Sequence, residues 1–468
     1  MKYPFTVRAR MSVVSVSGKI PFDAYIINLR KVDLIMNREY DIIVAGGGMS
    51  GVAAAISAGR RGVKVLLVEQ AAMLGGLGTA GAITFALGPA EHFGGVGLEI
   101  MDTLVRNGDI PPYKSPGAIP YENEAMKRGL EAAALEAKVD ILMYAKIIGL
   151  NKKDGFLTEL SLCGQEGIFQ VKGKIFIDCT GDAMLAFYAG EPLDIGDENG
   201  DTQAPTLASC YAGIDHEKYQ AFLKQYNDSN VPMIRDILPK AVAAGDVRVL
   251  DFHHPGMFKV DDRVSLLNVG HMYGADCLSP QGLTVATIEG RRQAKEYIDF
   301  YRKYIPGFEN AYLVSSGSTL GIRETRRLVG KYVTTAKDKA DFRKFEDAVL
   351  RMEGGSRSDV HASRPSEEDY LQYYDLFTNN NIIDTDDWAT LPYRSFLPQI
   401  TKNMLVAGRC LSADRTVQGQ VRVMGYCFMM GQAVGTAAAI GIKDGRLPAE
   451  VNVAKLQEEL EKDGIRTV

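Results

Sequence analysis

The chain has 468 residues, a net charge of −5 and 46% hydrophobic residues, an ordinary composition for a globular enzyme of two or three domains. The acidic balance, with no long basic run, argues against nucleic acid as the main partner. Six scattered cysteines form no C-x-x-C pair, so neither a zinc site nor a redox dithiol is suggested, and a reducing cytoplasm is the expected compartment.

Residues 1–35 carry Arg8, Arg10, Arg30 and Lys31 but lack the continuous apolar core of a secretory signal. A chain starting at Met36 would look complete. The stretch is therefore read as a misplaced start or a loosely ordered, dispensable extension, with an organelle transit peptide as a minor option. The next stretch, Tyr40 to Gln70, organises the rest. Tyr40–Ala45 is an apolar run suited to a strand buried on both faces, Met49–Arg60 is Ala-rich and fits a helix, and Val63–Val68 is a second apolar run ending at Glu69. Gly46, Gly48 and Gly51 fall at G-x-G-x-x-G spacing between the first strand and the helix. In that context Gly46 permits the tight turn and Gly48 lets the backbone approach a pyrophosphate. Gly51 lets helix and sheet pack closely. The helix start, Met49 and Ser50 included, offers N–H groups to phosphate, and Glu69, followed by Gln70, can accept from ribose hydroxyls. The same spacing recurs at Gly76, Gly78 and Gly81 with no strand before it, so that copy reads as a glycine-rich loop. The loop is expected to extend to Gly97, as a mobile cover or an ordered cradle.

Further along, Glu124–Ala137 reads as a helix and Val139–Leu150 as a strand. Asp154-Gly155 and Gly164–Gly167 are hairpin turns, and the strand from Lys174 ends in Thr180-Gly181-Asp182. From about Gly196 to Tyr393 polar loops and mixed strands replace the βα spacing, with helices expected over Gln281–Tyr304 and Lys337–Met352. The βα pattern returns with a strand over Asn403–Ala407, a turn at Gly408, and a helix over Val423–Ile440 opened by Arg422. The uncharged Val423–Ile442 run contains Gly431 and Gly435 at G-x-x-x-G spacing. It is rich in Gly and Ala and poor in large aliphatics, so it reads as a buried core helix and not a membrane span.

Four segments together, VAGGGMSGVAAAISA with VEQ, GGLGTAG, IDCTGDAMLA and LVAGRCLSADRTVQGQVRVMGYCFMMGQAVGTAAA, resemble the FAD-dependent oxidoreductases of the glutathione-reductase-like Rossmann superfamily. The resemblance covers most of 36–195 and 395–445. It implies an α/β chain: a Rossmann-type FAD-binding domain with a parallel sheet and a β-hairpin excursion, plus an inserted α+β substrate or cap domain. The implied boundaries are an N-terminal extension (1–35), a first FAD-binding part (36–195), the insert (196–393) and a C-terminal FAD-binding part (394–468). By the same resemblance Gly46, Gly48, Gly51 and Glu69 would hold the ADP half, and Gly76 and Thr79 would lie near the ribityl chain or flavin. The backbone around Ile147 would bracket the adenine, and Thr180-Gly181-Asp182 matches the superfamily's A-T-G strand end. Arg409, Arg422 and Val423 would face the pyrophosphate and the flavin's pyrimidine edge. Many relatives have Gly-Asp where this chain has Gly408-Arg409. No His occurs between residues 60 and 91, where relatives that attach the flavin covalently carry one, so noncovalent FAD is expected. No second nucleotide motif is present, which leaves the electron acceptor open.

For the chemistry, a hydride transfer also needs a proton acceptor or donor. The insert offers His253-His254, adjacent and so pointing to opposite faces of an extended segment, and His271, in a loop between glycines. His271 reads either as the acid–base residue or as a hydrogen-bonded structural histidine. Gly321-Ile-Arg323-Glu-Thr-Arg326-Arg327 reads either as a solvated strand edge with Arg–Glu pairs or as a site where Arg323 reaches flavin or an anionic substrate. Tyr273 and Arg415 are reserve candidates. The expected function is an FAD-dependent oxidoreductase acting by hydride transfer on a small organic molecule, sugar-like or anionic among the options, with no metal, nucleic acid or membrane partner. The alternative is a non-catalytic nucleotide-binding or escort protein on the same fold, against which the complete glycine turn, Glu69 and the C-terminal segment argue. A tRNA-modifying flavoprotein is disfavoured by the acidic balance. Substrate identity and oligomeric state are not written in the sequence.

Overall fold

The computed structural model describes residues 39–86, 94–112, 119–251, 256–353, 358–366, 368–369, 371 and 387–468. The expectations for residues 1–35 and for His253-His254 fall outside the described residues. The first half runs β1 (Glu39–Ala45), α1 (Met49–Arg60), β2 (Val65–Val68), β3 (Phe85–Ala86), α2 (Gly95–Arg106), β4 (Ile119–Pro120), α3 (Asn123–Glu136), β5 (Asp140–Leu142), β6 (Lys146–Lys153), β7 (Phe156–Gly164), β8 (Gly167–Asp178) and α4 (Met184–Ala189). β5, β2, β1 and β8 form a parallel sheet in that order. Its strands are apolar throughout because both faces are covered. Ile42, Val44, Val65 and Leu67 face one core, and Ile43, Ala45, Leu66 and Val68 face another. β8 outlasts the sheet: its first half pairs antiparallel with β7, and β7 with β6. The β6–β7 turn takes Asp154 and Gly155 at φ 53° and 84°, as its Asp-Gly pair predicts.

Two expectations fail in this half. Val139–Leu150 is not one strand: β5 pairs parallel with β2, Tyr144 adopts φ 58°, and β6 leaves antiparallel into the hairpin. An apolar run carries no mark of where its pairing partner changes. Nor is the glycine stretch a loop as far as Gly97. α2 begins at Gly95 and buries Val96, Ile100, Met101 and Leu104 at helical spacing.

The middle region runs β9 (Leu193–Ile195), β10 (Ser209–Ala212), α5 (His216–Leu223), α6 (Asn230–Ala243), β11 (Gly256–Lys259), β12 (Val264–Asn268), α7 (Pro280–Tyr304), β13 (Tyr312–Ser316), β14 (Arg326–Leu328), α8 (Ala336–Ala340), β15 (Ala348–Glu353) and β16 (Trp388–Pro392). β11, β12, β10 and β13 make a four-stranded antiparallel sheet, and α5, α6 and α7 share its apolar core through Tyr219, Ile234, Leu238, Tyr297 and Tyr301. Ser279 caps α7, its side chain accepting from Gly282 N–H, and Pro280 takes the first turn, so the helix starts where sequence put it. The expected helix over Lys337–Met352 is wrong. α8 ends at Ala340, and Ala348–Glu353 is a strand paired antiparallel with β16. Val349, Leu350, Ala389 and Leu391 join the core of the parallel sheet, and that distant pairing overrides a helical spacing of apolar residues.

The chain closes with β17 (Met404–Val406), α9 (Arg415–Val421), α10 (Met424–Asp444) and α11 (Val453–Lys462). β17 pairs parallel with the end of β8 and completes the sheet. Arg422 does not open the long helix. It ends α9, and Val423 is the N-cap of α10. Among the described residues only α10 is long and apolar enough to cross a membrane, yet 89% of its most apolar window is buried inside the protein. Its G-x-x-x-G pair has a packing cause: Cβ atoms added at Gly431 and Gly435 would fall 2.0 Å from Ser50 O and 2.2 Å from Ala54 O of α1.

Candidate functional site

The β1–α1 turn is shaped by what side chains would collide with. A Cβ at Gly46, which has φ 93°, would lie 2.6 Å from Cys179 O, and one at Gly51 would lie 1.8 Å from Gly46 O. At Gly48 a Cβ would meet nothing within 4 Å. Gly48 therefore keeps a surface bare that the protein itself does not use. Met49 and Ser50 follow as the first residues of α1, whose leading N–H groups have no intrahelical acceptor. Glu69 ends β2 nearly buried. Its Oε2 accepts from Gly47 N–H at 2.6 Å and its Oε1 from Ala71 N–H at 2.7 Å, which holds the carboxylate beside the glycine turn. Gln70 beside it is exposed. Glu69 O accepts from Ala145 N–H, which brings the start of β6 and the buried Ile147 alongside.

The second glycine run is an ordered cradle where it is described. Gly75 N–H donates to Gly47 O at 2.7 Å, and a Cβ on Gly76 would lie 3.1 Å from Gly48 Cα. Thr79 is buried, its hydroxyl donating to Leu74 O at 2.5 Å. Opposite, the β8 end turns on Asp178. This buried carboxylate accepts from Thr180 N–H and hydroxyl and from Leu185 and Ala186 N–H. Burial outweighs those bonds and holds its carboxyl above the usual range. Gly181, at φ 76°, lies under the Arg409 guanidinium, and Arg409 Nη2 donates to Asp182 Oδ1 at 2.8 Å. The Gly-Asp pair of other sequences is thus met here by an arginine after Gly408 paired to an aspartate from the turn that follows β8. Arg409 Nη1 is buried with no hydrogen-bond partner among the described residues, as is Arg422 Nε. Gly408 itself, at φ 85°, sits against Ser50. A bare glycine surface, a helix N-terminus, an acid at the β2 end and a guanidinium nitrogen without a partner fit the phosphates and ribose of a dinucleotide such as FAD.

The insert supplies a second, side-chain-built region. Residues Gln203–Thr206 are its seam. Thr206 bridges to both His271 and Gly321, Ala204 N–H donates to Ala362 O, and Gln203 Oε1 accepts from His361 N–H at 3.0 Å. Arg323 is buried. Its Nη1 donates to Ala204 O at 2.6 Å and to Thr206 Oγ1 at 2.8 Å. The arginine-rich stretch is not a solvated edge. Glu324, fully buried, pairs with Arg327 and with Arg415 Nε at 3.1 Å, Thr325 donates to Asp182, and Arg326 lies over the Phe187 ring. His271 is also buried, with Nδ1 2.8 Å from Asp251 Oδ2 and Nε2 2.9 Å from His361 Nδ1. Tyr273 Oη donates to Asp251 Oδ1 at 2.9 Å. Beyond His361, Asp359 accepts from His361 Nε2 and from Arg422 Nη2.

His361 is one wall of an open cleft of about 380 Å³, shared with Asp197, Glu198, Asn199, Ser363, Arg364 and Arg415. Burial pushes Cys277 up to about 11 and Cys427 up to about 12, so neither offers a thiolate at neutral pH. The cofactor half and this region share a wall at α9. Gln418 Nε2 donates to Arg323 O at 2.9 Å and to Arg409 O at 3.3 Å. Sequence reasoning missed His361, Asp251, Asp359 and Gln418. His361 is one of only six histidines in the chain, and that scarcity was the one available signal.

A family profile described as "FAD dependent oxidoreductase" matches residues 41–460. No curated protein matches the chain in sequence. Similar solved structures include a geranylgeranyl bacteriochlorophyll reductase-like protein from Thermoplasma acidophilum, with 12% identity, TM-score 0.45, and coverage of 91% of this chain and 83% of that one. A p-nitrophenol 4-monooxygenase from Pseudomonas putida has 11% identity, TM-score 0.47, and coverage of 91% and 84%. A myxobacterial FAD-dependent chondrochloren halogenase has 13% identity, TM-score 0.47, and coverage of 91% and 79%. None of the three reaches a TM-score of 0.5, so none bears on what this chain acts upon.

Proposed function

Because this chain belongs to the FAD dependent oxidoreductase family, we propose that it exchanges a hydride between noncovalently bound FAD and a small polar organic molecule held in the cleft beside His361. The observation that carries this reading is Gln418, whose amide joins the backbone of Arg409 in the cofactor half to that of Arg323 in the insert. FAD, when bound, supplies the site that takes or gives the hydride. The chain supplies the rest. Gly46, Gly48, Gly51 and the start of α1 would hold the pyrophosphate with backbone N–H groups. Glu69 would take the ribose hydroxyls, and Arg409 would offer to anionic oxygen its Nη1, which has no partner among the described residues. The start of α10, after Val423, would offer its positive end to negative charge on a bound ring.

Carboxylates, an amide, two hydroxyls, an imidazole and two arginines line the cleft, which supports a substrate rich in hydroxyl or carboxylate groups over an apolar one. Arg415 and Arg364 are already matched by Glu324 and Asp201, so both acceptors and donors face the ligand. The test is anaerobic bleaching of the yellow protein by a panel of hydroxy acids, polyols and sugars, with acid precipitation run beside it. The expectation is that at least one polar compound bleaches the flavin and that acid releases all of it to the supernatant. Bleaching confined to apolar compounds would sink the substrate class, and yellow colour retained by the pellet would sink the noncovalent assignment.

A further inference from the structure

The wall of the cleft carries one donor and one acceptor that stand opposite each other without bonding. Arg415 gives most of its guanidinium to the protein: Nε donates to Glu324 Oε2 at 3.1 Å and Nη2 to Ser363 Oγ at 2.7 Å. Glu324 is fully buried, so the arginine is anchored from behind. Asp197 is anchored in the same way. Its Oδ1 accepts from Asn199 N–H at 2.9 Å and from Asp201 N–H at 3.0 Å. Arg415 Nη1 and Asp197 Oδ2 are left over, 3.8 Å apart, and neither has a hydrogen-bond partner among the described residues. Both residues line the cleft. Arg364, the other arginine of the wall, is held by Asp201.

That separation is too long for a hydrogen bond and short enough for one atom to bridge, since an oxygen placed about 2.8 Å from each reaches both. The bridging atom must accept from a guanidinium and donate to a carboxylate. An alcohol hydroxyl does both. A carboxylate has no proton for Asp197 and meets a like charge there. An ammonium has no lone pair for Arg415 and meets a like charge on that side. A ketone oxygen only accepts, which leaves Asp197 Oδ2 unmatched. A water molecule can fill the same place in the free protein, and a hydroxyl reproduces both of its bonds on displacing it. The remaining polar atoms of both side chains are tied to the protein, so little ordering is needed when a ligand arrives.

We propose that Arg415 and Asp197 together recognise a hydroxyl group, and that the cleft selects a neutral polyhydroxy compound, an alditol or a sugar, over a carboxylic acid or an amine. Glu198, Asn199 and Thr416 add further donors and acceptors to the same wall for neighbouring hydroxyls. The pair binds and orients, and no proton or hydride passes through it. The inference rests on reading the cleft as the substrate site and narrows the class of substrate. Asp197→Asn probes it directly. The amide oxygen keeps the two backbone N–H bonds, which turns the amide nitrogen toward Arg415 Nη1. Two donors then stand where a donor and an acceptor stood, a pair that suits a carboxylate. Arg415→Met does the reverse, since it leaves the Asp197 acceptor alone and suits an amine.

The test is binding, read by ligand-observed saturation-transfer NMR on the full chain as purified with its FAD. The probes are sorbitol, xylitol, myo-inositol and glucose as neutral hydroxyl compounds, succinate and glutarate as carboxylates without a hydroxyl, and putrescine as an amine. At least one neutral probe should bind the unsubstituted protein about tenfold or more tightly than any of the other three. Asp197→Asn should weaken that probe about tenfold and strengthen succinate or glutarate. Should Asp197→Asn not fold, Arg415→Met serves: the neutral probe should weaken by a similar factor while putrescine gains. No neutral probe bound, a carboxylate or amine preferred by the unsubstituted protein, or unmoved affinities in a folded variant would overturn the proposal. Neutral probes that follow this pattern while no polyol or sugar bleaches the flavin would defeat the hydride reading alone. Bleaching by succinate or putrescine with no neutral probe bound would defeat this inference alone.

Discussion

In the cofactor half, contacts are made by leaving side chains out. At Gly51 and Gly431 an added Cβ would fall within 2.0 Å of a backbone oxygen, and at Gly48 it would fall on open surface. In the insert, contacts are made by putting polar side chains in. Gln203, Glu324, Arg323, His271 and His361 are all buried and bonded to residues far away in the chain. The first kind of site is set by backbone geometry and survives with few specific partners. The second fails when one member is lost, because the groups left behind are buried and unmatched.

The largest expected effect tests the second kind. Glu324→Leu removes the carboxylate that Arg327, Arg415 and the Gln203 N–H all use. It should cost about 3–5 kcal/mol in denaturant unfolding of the apoprotein. A loss no larger than that of a surface ion pair would mean the polar seam does not hold the insert together.

Glu69→Ala comes next. It removes a charge-assisted acceptor from the ribose position and should weaken FAD retention by about 1.5–3 kcal/mol in a flavin titration. The same carboxylate also holds Gly47 and Ala71 N–H groups, so part of the loss should appear as a lower melting temperature without flavin. Unchanged FAD affinity would place the ribose elsewhere.

The smallest effect divides two glycines three residues apart. Gly51→Ala forces helix and turn apart and should destabilise the apoprotein by about 1–3 kcal/mol. Gly48→Ala meets no protein atom within 4 Å and should leave apoprotein stability within about 0.5 kcal/mol while FAD retention falls. If Gly48→Ala binds FAD as well as the parent, the bare surface at Gly48 is not where the pyrophosphate lies.

Sequence by itself determined the parts whose physics is local. The β1–α1–β2 unit, both hairpin turns of the excursion, α7 and the buried character of α10 follow from spacing and turn chemistry within a few residues. Gly46, Gly48, Gly51 and Glu69 were legible for the same reason: a motif fixes them relative to one strand and one helix. Only tertiary structure decided that Ala348–Glu353 is a strand, since its partner lies at 388–392 and an apolar run fits either element until that partner arrives. It also decided that His271 lies behind His361. The two rings are 90 residues apart, and four segments meet only once the insert has packed on α9. Backbone geometry is written in neighbouring residues, whereas a buried polar network is written in pairs that only the folded chain brings within hydrogen-bond distance.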